Sequence, residues 1–271
     1  MNTYATPKPI TATVTTAGAH VRIVASERSD TVVRVSPVDS ANKSDVKVAE
    51  STKVSFTGDE LSVRTSKPGA KDGSVAITVE LPVGSRLRLN TAWSEVRADG
   101  RFGDCELDVA SGQVEVDHVA ALRGNLAAGN VSLGCVAGAA SIDGAAAGVR
   151  IGEAHGTVRY TGSTGKVWIG HAHADVDLTG SNADFDIDVA DADVTANAAN
   201  CPIRIGRITH GQAHLTNASG GIEVGVGAAA WVDADSTKGT VRNTLPTQDN
   251  PEVKIYARTR LNDIVIHPAA N

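Results

Sequence analysis

The chain has 271 residues, enough to bury a sizeable core in one or two domains. A formal net charge of −6 argues against nucleic acid as a partner, because phosphate binding needs clustered lysine and arginine. Aromatic residues make up only 3% of the chain and glycine occurs 27 times. This composition favours a narrow core of valine, isoleucine and alanine over the broad centre of a compact globule.

Cysteine usage and the first residues of the chain bear on its compartment. The three cysteines are widely spaced and form no CxxC pair: Cys105, Cys135 and Cys201. Reduced thiols in the cytoplasm are therefore expected rather than a disulfide framework. The opening MNTYATPKPITATV lacks a basic segment followed by an apolar run, and no apolar window reaches about 18 residues. We expect neither a signal peptide nor a membrane span.

Residues 1–84 are predicted to form an N-terminal cap of irregular, antiparallel strands. Alternating segments such as ITATVTTAGAHVRIVASE and DTVVRVSP are typical of strands with one buried face. The segment FTGDELSV resembles a hairpin, and the polar stretch from Lys43 to Lys53 is either a loop or a short helix. Such a cap would cover the exposed sheet edge at the end of a repeat.

Residues 85–245 contain a repeat with a period of about 18 residues. Its apolar anchors are Val96, Val114, Val131, Val149, Val167, Phe185, Ile203 and Ile222. Another apolar residue follows two positions after each anchor, and only glycine or aspartate occupies the next position. A second short strand precedes each anchor. The pattern predicts an all-β, single-chain parallel β-solenoid of about nine coils, right-handed by the crossover rule.

Two columns of outward residues support this register, because like charges should not stack in a parallel array. The first column runs Arg97, Glu115, Ser132, Arg150, Trp168, Asp186, Arg204, Glu223. The second runs Arg88, Glu106, Arg123, Ser141, Arg159, Asp177, Thr195, His214, Asp233. Neither places two charges of one sign side by side. The first also predicts a cation–π contact between Arg150 and Trp168.

Residues 246–271 are predicted to form a C-terminal cap. The break LPTQDNP precedes EVKIYARTRLNDIVIHP, whose alternation indicates two further strands. The expected domain division is therefore 1–84, 85–245 and 246–271.

The sequence resembles an actinobacterial family of β-strand-repeat domains of unknown function, also named "putative adhesin". The likeness covers nearly the whole chain. It is carried by HVRIVASERSDTVVRVSP, VELPVGSRL, the units SGQVEV, TGKVWIG and SGGIEVG, and the endings AAAWVDADSTKGTVRNTL and YARTRLNDIVI. The resemblance implies a β-solenoid fold and implies no particular reaction.

A candidate metal site lies four and six positions after the anchors. The residue between these two positions is an alanine that should point inward, so both positions should face outward. On neighbouring coils they hold Glu153, His155, His171, His173 and Asp191. Imidazoles and carboxylates are zinc ligands. The alternative is a set of solvated polar residues at a coil corner, and the aspartate-rich segment 175–193 is likewise typical of a strand face in water.

Other signs of chemistry are weaker. Cys135 and His118 could lie one coil apart, but no third group is present to orient them as a nucleophile and base. An outward tryptophan is typical of interfaces, so Trp168, with Arg150 and Arg204, forms a candidate interaction surface.

The leading functional hypothesis is a non-enzymatic scaffold or protein-interaction module that binds a protein partner or a second copy of itself. The alternative is a zinc-binding protein or metal-dependent enzyme built on the histidine corner, and a third hypothesis is a surface adhesin. The sequence does not define a small-molecule substrate. Zinc is the candidate cofactor, and a calcium site on the aspartates of 175–193 is the alternative to a solvated strand face.

Overall fold

The computed structural model describes residues 1–65, 73–246 and 250–270. The fold is all-β, and its one described helix has nine residues. The predicted β-solenoid class is therefore confirmed. The chain divides into two compact units, Met1–Gly134 and Cys135–Asn271, which are described separately.

Unit 1 begins with short strands and ends in long ones that each turn a corner of the coil. Its elements are β1 (Asn2–Ala5), β2 (Thr11–Ala17), β3 (Ala19–Ser26), β4 (Asp30–Pro37), α1 (Lys43–Ser51), β5 (Lys53–Thr57), β6 (Glu60–Arg64), β7 (Val75–Pro82), β8 (Arg86–Ala92), β9 (Ser94–Val109) and β10 (Gly112–Val136), the last of which continues two residues into unit 2.

The coils of unit 1 do not stack in chain order. Strand β2 pairs in parallel with both β6 and β8, and β3 pairs in parallel with both β7 and β9. The coil β2–β3 is thus inserted between the coil β6–β7 and the coil that starts with β8. Strand β10 continues the parallel stack on β9. Part of the region predicted as a cap therefore belongs to the solenoid itself.

The coil β6–β7, here named the covered coil, is closed by antiparallel strands. Strand β5 pairs with β6 as the expected hairpin, β4 pairs with β7, and β1 pairs with β4. Helix α1 contacts β4 and β7. It begins after Asn42, whose side chain accepts a hydrogen bond from the Ser44 N–H, so the polar stretch becomes a capped helix. These elements cover the outer side of the coil β6–β7.

Unit 2 consists of stacked coils with shorter strands towards the end of the chain. Its strands are β11 (Ala140–Ala154), β12 (Val158–Ala172), β13 (Val176–Ala190), β14 (Val194–Ala198), β15 (Ile203–Ile208), β16 (Gly211–Asn217), β17 (Ile222–Val226), β18 (Ala230–Ser236), β19 (Val241–Asn243), β20 (Val253–Thr259) and β21 (Ile264–Pro268).

The register predicted from the anchors is confirmed wherever pairing is described. In unit 2, Val149 pairs with Val167, Phe185 follows in the same column, and Ile203 and Ile222 continue it. All five side chains are buried. A period-2 strand turns alternate residues to the same side, so this column of branched and aromatic side chains lines the interior of the stack.

The C-terminal strands differ from the predicted cap. Strand β20 pairs in parallel with both β16 and β18, and β21 pairs in parallel with both β17 and β19. The coil β20–β21 is thus inserted as the penultimate coil, and the coil β18–β19 is the last in the stack. Residues 247–249 of the predicted break lie outside the described part of the chain.

This insertion corrects one predicted neighbour pair. His214 does not face Asp233, because Tyr256 of β20 lies between them in the column. The His214 and Tyr256 rings stack with centroids 4.5 Å apart. A repeat of fixed period shows which residues share a column, but it cannot show that a later segment enters the stack.

Candidate functional site

The candidate metal residues lie at the C-terminal ends of β11 and β12 and in the residues that follow β11, β12 and β13. Glu153 and His171 are neighbours in the register of β11 and β12. The backbone ladder continues past the strands, since the His173 N–H donates to the Ala154 carbonyl and the Asp191 N–H donates to the Ala172 carbonyl, each at 2.9 Å. The fold therefore fixes the main chain that carries these side chains.

Their orientation agrees with the predicted alternation. The alanines between the outward positions, Ala154, Ala172 and Ala190, are at most 1% exposed. The side chains of the three histidines, Glu153 and Asp191 are 33–56% exposed. Small inward side chains at this corner let successive coils stack closely while the polar groups remain on the surface.

The structure divides the predicted cluster into two groups of ligand atoms. In one group, the Nε2 of His171 lies 2.6 Å from the Oδ2 of Asp191, and the Nδ1 of His173 lies 3.7 Å from the same oxygen. The other group comprises Glu153 and His155, whose side chains are 3.5 Å apart, together with Cys135. The rings of His155 and His173 stack with centroids 4.6 Å apart and link the two groups.

Two residues outside the predicted site take part in it. The Thr209 hydroxyl donates to the Oδ1 of Asp191 at 2.6 Å, and Cys135 adds a thiol beside Glu153. Both occupy the outward columns of the cluster, Thr209 six residues after its anchor and Cys135 four. Their positions in these columns could have been read from the sequence. Neither a threonine nor an isolated cysteine, however, suggests a metal ligand by itself.

The electrostatics differ between the two groups. Hydrogen bonds from Thr209 and from His171 lower the pKa of the Asp191 carboxyl group and outweigh its partial burial. Burial raises the pKa of the Cys135 thiol, and the nearby Glu153 carboxylate adds to the effect. Asp191 is therefore held as an anion, whereas the thiol of Cys135 is held protonated.

The second candidate surface is the outward column of Arg150, Trp168 and Arg204. The Arg150 guanidinium carbon lies 3.5 Å from the centroid of the Trp168 ring, so the predicted cation–π contact is present. Arg204 donates to Asp186 at 2.6 Å and to Asp188 at 3.4 Å. Burial raises the pKa of Asp186, but hydrogen bonds from Arg204 and Lys166 outweigh this effect and lower it. These groups satisfy one another, and their role in binding remains a prediction.

A shallow groove of about 450 Å³ runs beside this column. Its lining mixes the apolar Phe185 and Ile203 with Lys166, Arg204 and Glu223. A groove with both charge signs and an open face has no single complementary ligand class, so it does not by itself identify a substrate.

A third feature is the coil β18–β19, here named the open coil. Within the part of the chain that the structure describes, β18 pairs only with β20 and β19 only with β21. Trp231 faces outward in the column of Lys254 and is 45% exposed. Val241 lies in the inward column of the buried Ile264 and is 43% exposed. The apolar interior of unit 2 thus reaches the surface at this coil.

Comparison with known families decides the relationship of the chain. The family model described as Toastrack DUF4097 matches residues 9–263. The chain belongs to the Toastrack DUF4097 family. The predicted resemblance to a domain family of unknown function is therefore confirmed, while an actinobacterial origin stays a prediction.

Two solved structures resemble this Toastrack chain at low similarity. A "putative adhesin" from Bacteroides fragilis NCTC 9343 has 11% identity and a TM-score of 0.39, with 98% of this chain and 95% of that chain covered. A "putative cell adhesion protein" from Clostridium sporogenes ATCC 15579 has 9% identity and a TM-score of 0.18, with 98% of both chains covered. No curated protein matches the chain. Across the described ranges, no helix is long and apolar enough to cross a bilayer.

Proposed function

We propose that this Toastrack protein is a non-enzymatic scaffold that joins protein chains through its open coil, and that the first occupant of this coil is a second copy of the same chain. The observation that carries the proposal is the uncovered sheet edge of β18 and β19.

The open coil lacks the outer neighbour that covers the coil beneath it. Val232 and Ala234 of β18 pair in register with Ile255 and Ala257 of β20. Ile255 and Ala257 are 0% exposed, whereas Val232 and Ala234 are only partly buried. Covering the open coil with another strand would remove this apolar surface from water, which stabilises the complex by roughly 25 cal/mol for each Å² buried.

The backbone of an edge strand favours a strand as its partner. Along one side of β18 and β19 no pairing is described, so this side offers N–H and C=O groups for a further strand. Two identical edges can pair in antiparallel orientation across a twofold axis, because each then supplies the donors that the other lacks. A second copy of the chain meets this requirement without any other partner.

The negative charge of Asp233 on the edge strand β18 is balanced by an arginine of the same chain. Aspartates on an edge normally oppose pairing. However, Arg258 of the penultimate coil donates to the Asp233 carboxylate at 2.6 Å and to the Asp233 carbonyl at 2.7 Å. Trp231, at the start of the same strand, adds an exposed aromatic side chain of the kind that anchors interfaces.

The test is the mass of the untagged protein by sedimentation equilibrium, from about 1 to about 200 µM, the range of weak to moderate association. We expect the native chain to form dimers and Ala234→Lys to remain monomeric, because it places an ammonium group at the centre of the interface. Asn197→Lys is the matched control: it adds the same charge on β14, away from the edge, and should still dimerise.

Either of two results would reject the proposal. A native protein that stays monomeric over this range would exclude a second copy as the occupant. Dimers that form equally well in Ala234→Lys would place the interface elsewhere, with the column of Trp168 as the next surface to test. A cytoplasmic location remains a separate proposal, which cell fractionation can test.

A further inference from the structure

We propose that His171, His173 and Asp191 bind one divalent transition-metal ion at the corner of unit 2, with zinc as the probe. This inference is independent of the scaffold function, since the open coil and the histidine corner share no residue.

The three side chains supply a suitable set of ligands. Two imidazole nitrogens and a carboxylate oxygen are found together in zinc sites that leave a fourth position for water. The ligand atoms of His171, His173 and Asp191 all lie within 4.8 Å of one another. Ligands of tetrahedral zinc, at bond lengths of about 2.0–2.1 Å, lie roughly 3.3 Å apart. The observed separations from Asp191, 2.6 and 3.7 Å, lie on either side of this value.

The main chain holds the ligands in place before any ion arrives. His171 is the penultimate residue of β12, and the two following ligands are fixed by the inter-coil hydrogen bonds of His173 and Asp191 described above. The Thr209 N–H donates to the Ala190 carbonyl at 3.1 Å and extends the same ladder to the next coil. On such a regular backbone, binding requires a change in side-chain rotamers alone: the ring centroids of His171 and His173 lie 3.8 Å apart with the ring planes at 35°, and the rings must turn to face one ion.

Thr209 acts as a positioning residue for the carboxylate. Its hydroxyl donates to the Oδ1 of Asp191, which leaves the Oδ2 directed at the two histidines. Outer hydrogen bonds of this kind orient ligands in metal sites, and their loss typically weakens binding about 10- to 100-fold. A group of solvated polar residues would not require this arrangement.

His155 lies next to the site but is not assigned as a ligand. Its ring is within 10° of parallel to that of His173. The ligand atoms of His155 fall within 4.8 Å of those of Cys135 and Glu153, and His155 is not part of the group around Asp191. The neighbouring group of Cys135 and Glu153 is also left out, since burial favours the protonated thiol there, and zinc binds the thiolate.

The experiment is native mass spectrometry of the untagged chain with added zinc, together with titration against a chromogenic chelator to obtain Kd. We expect one zinc per chain. His171→Ala and Asp191→Asn should each raise Kd at least about 100-fold, more than the loss of an outer partner does. Thr209→Val should raise it about 10- to 100-fold. Cobalt(II) bound in place of zinc should show the intense visible absorption of a tetrahedral site.

Two controls make the result specific. His214→Ala removes a histidine of β16 that lies outside the cluster and should leave zinc binding unchanged. His155→Ala should also retain one zinc per chain. Asp191→Asn is nearly isosteric, and circular dichroism of the metal-free variant will show whether the fold is kept.

The outcomes separate the proposal from its alternatives. If native protein takes up no zinc at micromolar concentration, the corner is a solvated polar surface and the proposal is wrong. If His155→Ala alone abolishes binding, the ion belongs to the neighbouring group and the assignment is wrong. Zinc that is lost in His171→Ala and Asp191→Asn, but kept in both controls, would establish the site.

Discussion

The covered coil of unit 1 and the open coil of unit 2 are built from similar strands but end their stacks in different ways. In the covered coil, Leu61 and Val63 of β6 are 0% exposed because β5 lies over them. In the open coil, Val232 and Ala234 of β18 are only partly buried. Burial in a solenoid therefore depends on the next layer as much as on the residue, and a coil without such a layer retains apolar surface that a partner can cover.

Both stacks contain an inserted coil next to their last coil. The coil β2–β3 lies beneath the covered coil, and the coil β20–β21 lies beneath the open coil. Each inserted coil has a neighbour on both faces, so β20 and β21, the strands nearest to the C-terminus, are protected from fraying. The two stacks differ in their outermost layer: β5 and β4 pair with the covered coil, whereas no further strand is described on the open coil.

The largest expected effect is a contrast between two identical substitutions. Val63→Ala should lower the free energy of unfolding by about 2–3 kcal/mol, because it removes two buried methyl groups and leaves a cavity. Val232→Ala should cost less than about 1 kcal/mol, since its side chain is already in partial contact with water. Urea unfolding at a concentration where the chain is monomeric measures both. Equal losses in the monomer would show that Val232 is as well packed as Val63 and would contradict the open coil.

A smaller effect is expected from an ion pair that secures the cover. Glu80 of β7 accepts hydrogen bonds from Arg28 and from Arg34 of β4, and these bonds lower the pKa of the Glu80 carboxyl group. A lowered pKa stabilises the fold above the ordinary value of 4.5, and this contribution is lost as the pH falls through the lowered pKa. Glu80→Gln should cost about 1 kcal/mol at pH 7.

The pH dependence makes this prediction specific to charge. The difference between Glu80→Gln and the native protein should persist at about pH 5 and shrink below about pH 4.5, because the unfolded chain then binds the proton first and the native carboxylate follows at its lowered pKa. Glu106→Gln is the matched control: its side chain is 57% exposed and lies 3.1 Å from Arg88, so its loss should cost less than about 0.5 kcal/mol. A Glu80→Gln difference that is the same at pH 3 and pH 7 would attribute the effect to packing instead.

How far the sequence predicts this molecule depends on whether a feature is periodic. The anchor column from Val149 to Ile222 and the contact between Arg150 and Trp168 follow from spacing, because stacked coils place residues about 18 apart side by side. The insertion of β2–β3 and of β20–β21 does not follow from spacing. A strand inside the stack and a strand at its end show the same alternation of buried and exposed residues. The order of coils is decided by three-dimensional packing.

The candidate site was predictable to a similar extent. Alternation placed His171 and His173 outward, and the column placed Asp191 beside them. Sequence could not show that Asp191 accepts hydrogen bonds from both His171 and Thr209, nor that the ligand atoms of His155 fall beside Cys135 and Glu153. Those details depend on side-chain rotamers, which periodicity does not determine.

The smallest expected effect concerns a coil corner in unit 1. Gly18 joins β2 to β3 with a φ of 68°, and the equivalent corner between β8 and β9 is made by Trp93 with a φ of 48°. This left-handed conformation strains any residue with a Cβ, by roughly 1–2 kcal/mol. The Trp93 side chain is 73% exposed, so packing within the chain offers little compensation.

Trp93→Gly should therefore raise the free energy of unfolding, by about 0.5–1 kcal/mol once the greater freedom of glycine in the unfolded chain is subtracted. Trp93→Ala is the control, because it removes the indole ring but keeps the strained backbone, and it should give no gain. An equal gain in both variants would attribute the effect to the exposed ring. A gain only in Trp93→Gly would show that the corner holds a tryptophan where glycine is more stable. Trp93 in unit 1, like Trp231 on the open coil, would then be a residue to test for contact with a partner.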